Sequence, residues 1–153
     1  MNGRDIGFVG LNGYLGKEEE ARIKALPAGI ERRTAYYEGS EQRYYQKFKE
    51  NVQEMDKREI PFVVVMHYSP IAETMGEPPP MNPIDFSPKF IDPIASSKNV
   101  IALVHGHYHG TGPNAKGYPL GYIMKNDGIE IPVHNVALPM LKRRGMHPLI
   151  MKI

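Results

Sequence analysis

The sequence predicts an α/β domain, and three features of its hydrophobic pattern favour this class. A short apolar run at residues 6–10 is followed by two segments with helical patterns. Two further apolar runs, at residues 62–66 and 100–104, are rich in β-branched residues and are separated by a loop and a short helical segment. Strands that alternate with helices in this way indicate a parallel sheet covered by helices.

Size, charge and composition narrow the class of protein. The 153 residues correspond to one domain, and the hydrophobic share of 41% and charged share of 24% are typical of globular chains. The formal charge of +2 is too small to indicate a nucleic acid or an anionic membrane as partner. No apolar run approaches the roughly 20 residues that span a bilayer, and the N-terminus lacks the apolar core of a signal peptide. We therefore expect a cytoplasmic protein.

The remaining elements follow from local patterns. Helix formers predict a short helix at residues 16–26, which ends at Pro27. Apolar residues at helical spacing predict a long amphipathic helix at residues 40–59, with Ser40 as its N-cap. The other predicted elements are, in chain order, an irregular proline-rich loop (68–86), a helix interrupted by Pro93 (86–97), a hairpin with an Asp-Gly turn (120–124 and 129–133) and a last strand (149–153).

Histidines gather at the ends of the two strongest predicted strands. His67 directly follows the first of these strands, and His105, His107 and His109 occupy alternate positions after the second. Residues i and i+2 of an extended segment project to the same side about 6.6 Å apart, so their imidazoles can reach one metal ion or two adjacent ions. Ligands of open parallel sheets bind beyond the carboxyl ends of the strands, where both groups of histidines fall.

The four histidines differ in the roles that their positions favour. His107 and His109 form a glycine-flanked His-x-His pair, which favours metal binding over a structural role. For His67 the two roles are equally supported by position alone. His105 directly follows an apolar run, so we expect it to pack in the core or to support the ligands from behind. Because the sequence has no cysteine, any metal must be bound by His, Asp, Glu or Asn.

Two segments resemble the last two metal-binding motifs of the calcineurin-like metallophosphoesterases. Residues 63–70 contain a strand that ends in a histidine, and residues 104–109 contain Gly-His-x-His. The later segment 133–137 is similar to the strand that follows the final motif of that family. The resemblance implies a two-sheet αββα sandwich with mixed sheets flanked by helices. Residues 1–153 would form the C-terminal half of such a domain.

The resemblance also implies a dinuclear centre of zinc, manganese or iron that hydrolyses phosphate esters. His67 and His107 would be ligands of one ion, and His109 would be a ligand of the other. The earlier motifs of the family, Asp-x-His, Gly-Asp and Asn-His, do not occur before His67. Three neutral imidazoles cannot balance two divalent cations without those carboxylates, so we expect the chain alone to hold at most one ion. A histidine of the missing half would protonate the leaving group, so no catalytic residue is assigned to this chain.

Three functions stay open at the level of sequence. The first is metal-dependent phosphoester hydrolysis, as phosphomonoesterase or phosphodiesterase, with an N-terminal half that another polypeptide supplies or that is lost from the reading frame. The second is a single-metal site of three histidines, His67, His107 and His109, with an open position for water. The third is a non-catalytic remnant that acts as an assembly module. A chain cut through a mixed sheet leaves an unpaired edge and apolar surface, which favours a tight partner or a homo-oligomer.

Overall fold

The computed structural model describes residues 5–11, 17–74, 88–106, 120–143 and 145. The strands in these ranges are β1 (Gly7–Leu11), β2 (Phe62–Met66), β3 (Val100–His105), β4 (Leu120–Met124) and β5 (Glu130–Asn135). The helices are α1 (Lys17–Lys24), α2 (Ile30–Lys57), α3 (Ile91–Ser96) and α4 (Leu138–Arg143), with a 3₁₀ turn (Pro88–Phe90) before α3. Helices lie between β1 and β2 and between β2 and β3, which confirms the predicted α/β class.

The strands form one mixed sheet in the order β1-β2-β3-β5-β4. β1, β2, β3 and β5 run parallel to one another, and β4 is antiparallel to β5. The predicted parallel pair and the predicted hairpin are both confirmed. In the hairpin turn Gly128 has a φ of 84°, and the Asp127 carboxylate accepts a hydrogen bond of 3.1 Å from the N–H of Ile129. The described ranges contain a single sheet, so the second sheet of the implied sandwich stays a prediction.

One face of the sheet, the covered face, packs against α2 and α3. Phe48 and Val52 of α2 are buried in the same core cluster as the strands, and the Phe48 ring meets the edge of Phe90 at a centroid distance of 5.2 Å. Burial of one such side chain contributes roughly 1.5–3 kcal/mol. The strand residues of this cluster are Val9, Phe62, Val64, Met66, Val100, Leu103, Ile123, Ile131 and Val133. These apolar contacts attach both helices to the same side of the sheet.

The opposite face, the open face, carries exposed apolar side chains from three strands. The strand registers place the following residues on this face: Phe8, Val65, Leu120, Tyr122 and Met124. Phe8 is 69% exposed and Met124 is 57% exposed. Val63 and Ala102 on the same face are buried. Apolar side chains therefore reach solvent on the face opposite α2 and α3.

The start of α2 differs from the prediction. We expected Ser40 to cap this helix, but α2 begins at Ile30, directly after Gly29. Gly29 has a φ of 141°, a backbone conformation that other residues rarely adopt. The guanidinium of Arg32 donates a hydrogen bond of 2.8 Å to the carbonyl of Leu26, which joins the two sides of this turn. The break between α1 and α2 therefore lies at the glycine.

The outcomes at the other predicted elements are as follows. Pro93 does not interrupt α3, because it lies in the first turn, where a backbone N–H has no partner within the helix. The short helix α4 was not expected from the sequence. The predicted strand at residues 149–153 lies outside the described residues. Among the helices that the structure describes, none is both long and apolar enough to cross a membrane.

Asp56, near the end of α2, ties this helix to the turn before β3. Its Oδ1 accepts hydrogen bonds from the hydroxyl of Ser97 at 2.8 Å and from the backbone and side-chain nitrogens of Asn99, both at 3.2 Å. Ser97 is only 2% exposed, so its hydroxyl has little access to water as an alternative partner. Lys125, which follows β4, contacts the same turn by donating a hydrogen bond of 2.9 Å to the carbonyl of Lys98.

We predict that Asp56→Ala lowers the free energy of unfolding by about 1–3 kcal/mol, because Ser97 and Asn99 lose their acceptor. Urea denaturation of the purified chain measures this change. Glu54→Ala, on the same helix, is the matched control. It removes an ion pair of 3.0 Å with Arg58 whose side chains are 53% and 60% exposed, and we expect a loss below about 1 kcal/mol. Equal losses for the two variants would contradict the role given to Asp56.

Candidate functional site

The carboxyl ends of the parallel strands lie along one edge of the sheet. The register pairs Met66, the last residue of β2, with His105, the last residue of β3. His105 is paired in turn with Asn135, the last residue of β5. His67 follows β2 and Gly106 follows β3, so the two predicted histidine motifs begin on neighbouring strands at the same edge.

A one-residue irregularity in the pairing of β2 with β3 determines which face His105 occupies. Phe62 pairs with Val100, but Val63 pairs with Ala102, so β3 contains one residue more than β2 over this step. Such a shift exchanges the two faces for all later residues of the strand. As a result His105 lies on the covered face of the sheet.

Of the three predicted metal ligands, His67 is the one within the described residues. Its side chain is half-buried, and its ring meets the ring of Tyr68 edge to face, at a centroid distance of 4.7 Å and an angle of 79°. His107 and His109 lie outside the described residues. Within the part of the chain that the structure describes, no three His, Asp or Glu side chains could together hold a metal ion. The convergence of the three imidazoles on one volume stays a prediction.

His105 is buried, and both of its ring nitrogens have hydrogen-bond partners. The residue is 1% exposed. Its Nδ1 lies 3.1 Å from the carbonyl oxygen of Gly106, and its Nε2 lies 2.7 Å from Oγ1 of Thr74. Because a carbonyl oxygen can only accept, Nδ1 carries the hydrogen and Nε2 of the neutral ring accepts from the Thr74 hydroxyl. Neither nitrogen is left for a metal ion, which agrees with the packing role that we expected for His105.

Burial keeps the His105 ring neutral. Loss of hydration disfavours the imidazolium and lowers the pKa of His105 from 6.5 to about 4, although the hydrogen bond to Gly106 opposes part of this change. Burial also lowers the pKa of His134, a half-buried residue of β5. At neutral pH the ring of His105 therefore acts as a hydrogen-bond acceptor toward Thr74.

Thr74 joins the loop after β2 to two further strands. Its hydroxyl bonds to His105 of β3, and its carbonyl accepts a hydrogen bond of 3.0 Å from Nδ2 of Asn135 in β5. Ser69 adds to the same network, because its hydroxyl lies 2.9 Å from Oγ1 of Thr74 and donates to the carbonyl of Ile71 at 2.8 Å. We call these four polar residues, Ser69, Thr74, His105 and Asn135, the clasp.

The loop also passes closely over β4. A Cβ atom at Gly121 would lie 2.7 Å from Cδ1 of Ile71 and 3.0 Å from Cγ2 of Thr74. Both distances are shorter than ordinary van der Waals contacts, so the absence of a side chain at Gly121 permits this approach. The loop therefore extends from β2 across the edge of the sheet to β4.

Sequence reasoning did not identify the clasp. A serine in a loop often bonds to the backbone two residues on, so the Ser69–Ile71 contact has a local signal. The contact between Thr74 and His105 joins residues 31 positions apart and has no such signal. Asn135 lies in the segment that resembles a family strand, but that likeness assigned it no role. The clasp depends on tertiary structure.

No family model matches this sequence, and no curated protein matches it. The resemblance to the metallophosphoesterases therefore rests on the residues of the histidine motifs and on their positions along the chain.

We predict that His105 makes the stability of the chain depend on pH between about 6.5 and about 4. Above pH 6.5 the ring is neutral in both states. As the pH falls, the unfolded chain binds the proton first, so the free energy of unfolding decreases. The difference between 6.5 and about 4 corresponds to about 3 kcal/mol, at roughly 1.4 kcal/mol per pH unit.

Urea denaturation at a series of pH values tests this prediction. His105→Gln keeps an acceptor but does not titrate, so this part of the pH dependence should disappear. His134 also has a pKa that is lowered by burial, so it contributes to the pH dependence in the same direction. His134→Gln measures this contribution separately from that of His105. A His105→Gln variant with the full wild-type slope would contradict the assignment to His105.

Proposed function

We propose that this chain contributes histidine ligands to a metal-dependent phosphoesterase of the calcineurin-like type. The observation that carries the proposal is the pairing of Met66 with His105, because it brings the starts of both histidine motifs to the same sheet edge. His67 and His107 are the ligands proposed for one ion, and His109 is the ligand proposed for the other. A phosphate ester as substrate and a cytoplasmic location belong to the same proposal.

The environment of His105 supports this choice of ligands. A metal triad formed by His105, His107 and His109 would need a free ring nitrogen on His105. Both nitrogens of that ring are hydrogen-bonded in a buried position. The register of Gly-His-x-His, in which residues 107 and 109 are the ligands, is therefore favoured over the triad.

The proposed centre needs carboxylates in addition to the three histidines. Imidazole suits zinc and iron, but three neutral rings leave the charge of two divalent ions uncompensated. When bound, two ions would activate water as the nucleophile and would stabilise the charge of the phosphoryl oxygens. His67, His107 and His109 would bind and orient the ions, while the N-terminal motifs of the family would provide the acidic ligands and the general acid.

The open face supports the proposal that the chain works with a partner. Phe8, Val65 and Tyr122 expose apolar surface on a sheet whose other face packs against α2 and α3 in the buried core. Exposed apolar patches of this kind mark sites of protein association. The N-terminal half of the phosphoesterase, or a second copy of this chain, would cover this face.

The exposed apolar side chains of the open face also favour a second candidate function. A chain with an open face and with at most one metal ion, bound by His67, His107 and His109, could serve as a non-catalytic assembly module. Metal content and turnover separate the two functions, because the module needs neither two ions nor hydrolysis.

We predict that the purified chain alone binds at most one divalent ion and hydrolyses bis-p-nitrophenyl phosphate very poorly, because the carboxylates are absent. Metal analysis after dialysis against Zn²⁺ or Mn²⁺ gives the stoichiometry, and release of p-nitrophenol gives the turnover. A His67→Ala variant is the control for adventitious binding. Two tightly held ions with substantial turnover would show that this chain, alone or as an oligomer, supplies its own carboxylates.

A second prediction concerns a complex reconstituted with an N-terminal-half polypeptide that carries the acidic motifs. His107→Ala and His109→Ala should abolish metal-dependent hydrolysis, because removal of a direct ligand loses an ion. His105→Ala should cost about 10–100-fold, as is typical of residues that support ligands. Hydrolysis rates at saturating Mn²⁺ provide the measurement. Equal and complete losses at all three positions would favour the triad instead.

A further inference from the structure

β4 is an outermost strand of the sheet. In the order β1-β2-β3-β5-β4, the described strands give β4 a neighbour on one side only, which is β5. The side chains of Leu120, Tyr122 and Met124 are exposed on the open face. Backbone N–H and C=O groups along the outer side of such a strand are a template for pairing with another chain. The direction of the backbone groups in β4 therefore decides what this edge can bind.

A hydrogen bond next to the hairpin turn determines which backbone groups of β4 point outward. The N–H of Lys125 donates to the carbonyl of Ile129 at 2.8 Å, so these two residues form a hydrogen-bonded pair. In an antiparallel ladder, hydrogen-bonded pairs alternate with pairs that are not hydrogen-bonded. The pairs that are not hydrogen-bonded are then Met124 with Glu130, Tyr122 with Pro132, and Leu120 with His134. The N–H and C=O groups of Leu120, Tyr122 and Met124 therefore point away from β5.

Pro132 agrees with this assignment. Proline has no N–H, so Pro132 cannot exchange two hydrogen bonds with Tyr122. The N–H of Val136, four residues after Pro132, donates to the carbonyl of His105 in β3 at 2.8 Å. Because the direction of backbone groups alternates along a strand, the nitrogen of Pro132 also faces β3. The outward direction of the Tyr122 backbone groups thus has two independent observations behind it.

We propose that β4 pairs with β4 of a second copy of this chain, antiparallel and centred on Tyr122, to form a two-fold dimer with one continuous sheet. In this register Tyr122 lies opposite Tyr122 of the partner subunit, and Leu120 lies opposite Met124 of the partner subunit. Every outward residue of β4 is then matched with an outward residue of the other copy. The inference is independent of the metal-binding role proposed above.

The pattern of β4 favours a second copy as the occupant of this edge. Leu120 and Met124 are spaced equally on the two sides of Tyr122, so a two-fold rotation brings each outward N–H to an outward C=O. Residues 120–124 contain no charged residue, so their pairing desolvates no charged side chain of β4. Edge strands commonly carry Lys or Pro, which prevent pairing with other chains. Residues 120–124 contain neither.

The exposed side chains of β4 would add apolar contacts to the backbone hydrogen bonds. The two-fold axis would be perpendicular to the sheet, so the open faces of both copies lie on the same side. Directly opposed side chains of an antiparallel pair have Cβ atoms about 4.5–5.5 Å apart. Leu120 and Met124 would therefore shield each other from water across the interface, as would the two copies of Tyr122. The contact is made at the edge, so most of each open face stays free.

The first test measures the oligomeric state of the full chain by sedimentation velocity over a concentration series, with a metal chelator present. We expect a dimer that dissociates on dilution. Tyr122→Pro removes an outward N–H and keeps the hydrogen bonds to β5, and Met124→Lys adds a charge to the edge. Both variants should be monomeric at concentrations at which the wild type is a dimer. Circular dichroism of both variants checks that the sheet is retained.

The outer edge of β1 is the matched control. The N–H of Gly7 donates to the carbonyl of Pro61 at 2.9 Å, beside β2, so the N–H of Phe8 points outward. Phe8→Pro and Phe8→Lys make the same changes at that edge and should leave the dimer intact. A wild-type chain that is monomeric throughout the series would overturn the proposal. So would a dimer that folded Tyr122→Pro and Met124→Lys variants retain.

The second test determines the register with single cysteines, since the chain has none of its own. The Cα atoms of a hydrogen-bonded antiparallel pair lie about 5.5 Å apart, within the range of about 4.4–6.8 Å that disulfides span. Tyr122→Cys should therefore form a disulfide-linked dimer on mild oxidation of the folded chain. Leu120→Cys is the control, because its copy would lie four residues away along the partner strand, at about 13 Å.

The two tests fail separately from the proposed function, because neither depends on a metal ion. A 1:1 mixture of Leu120→Cys and Met124→Cys should form the mixed disulfide, since these residues oppose each other in the proposed register. Equal cross-linking of Tyr122→Cys and Leu120→Cys alone would contradict that register. Absence of a disulfide in Tyr122→Cys, at a concentration at which this variant sediments as a dimer, would show that β4 does not pair with its copy.

Discussion

The one-residue irregularity between β2 and β3 determines the arrangement of the whole sheet edge. With uninterrupted pairing after Phe62, Met66 would lie opposite Val104, and His105 would turn to the open face. The observed register instead directs His105 inward, where it can accept the Thr74 hydroxyl. The clasp therefore depends on this single extra residue, because the residue brings His105 to the face where Thr74 lies.

The two faces of the sheet have different consequences for the protein. The covered face contains a complete core, in which Phe48 and Phe90 join the helices to the strands. The clasp closes this core at the carboxyl edge with polar groups that are all paired, since no buried side-chain nitrogen or oxygen in the described ranges is without a partner. On the open face Val63 and Ala102 are buried, whereas Phe8, Val65 and Tyr122 are exposed, so the two faces differ in how far their apolar side chains are covered.

The sequence allowed the repeating parts of the fold to be predicted. Continuous β-branched apolar runs identified β2 and β3, and two apolar segments around an Asp-Gly turn identified the hairpin of β4 and β5. The start of α2 was missed because Ser40 resembles a cap, whereas the conformation of Gly29 determines the actual break. The irregular pairing of β3 and the bond from Thr74 to His105 join distant parts of the chain, so no local pattern could reveal them.

For the histidines, too, the features that depend on a local pattern could be predicted, whereas contacts with distant residues could not. A position directly after an apolar run predicted the packing role of His105, because burial follows from the strand itself. The partner of its ring could not be predicted, since Thr74 reaches it through an irregular loop. His67 was predicted as a ligand from a motif, and its neighbour Tyr68 and its half-buried position give it a defined setting in the fold.

The open face also bears on how the cell maintains this protein. Transiently exposed apolar surface makes folding chains prone to aggregation and is the reason that chaperones exist. Side chains such as Phe8 and Met124 stay exposed after the chain has folded, so this liability is not removed by completion of the fold. Solubility at high concentration would therefore depend on the open face more than on the stability of the core.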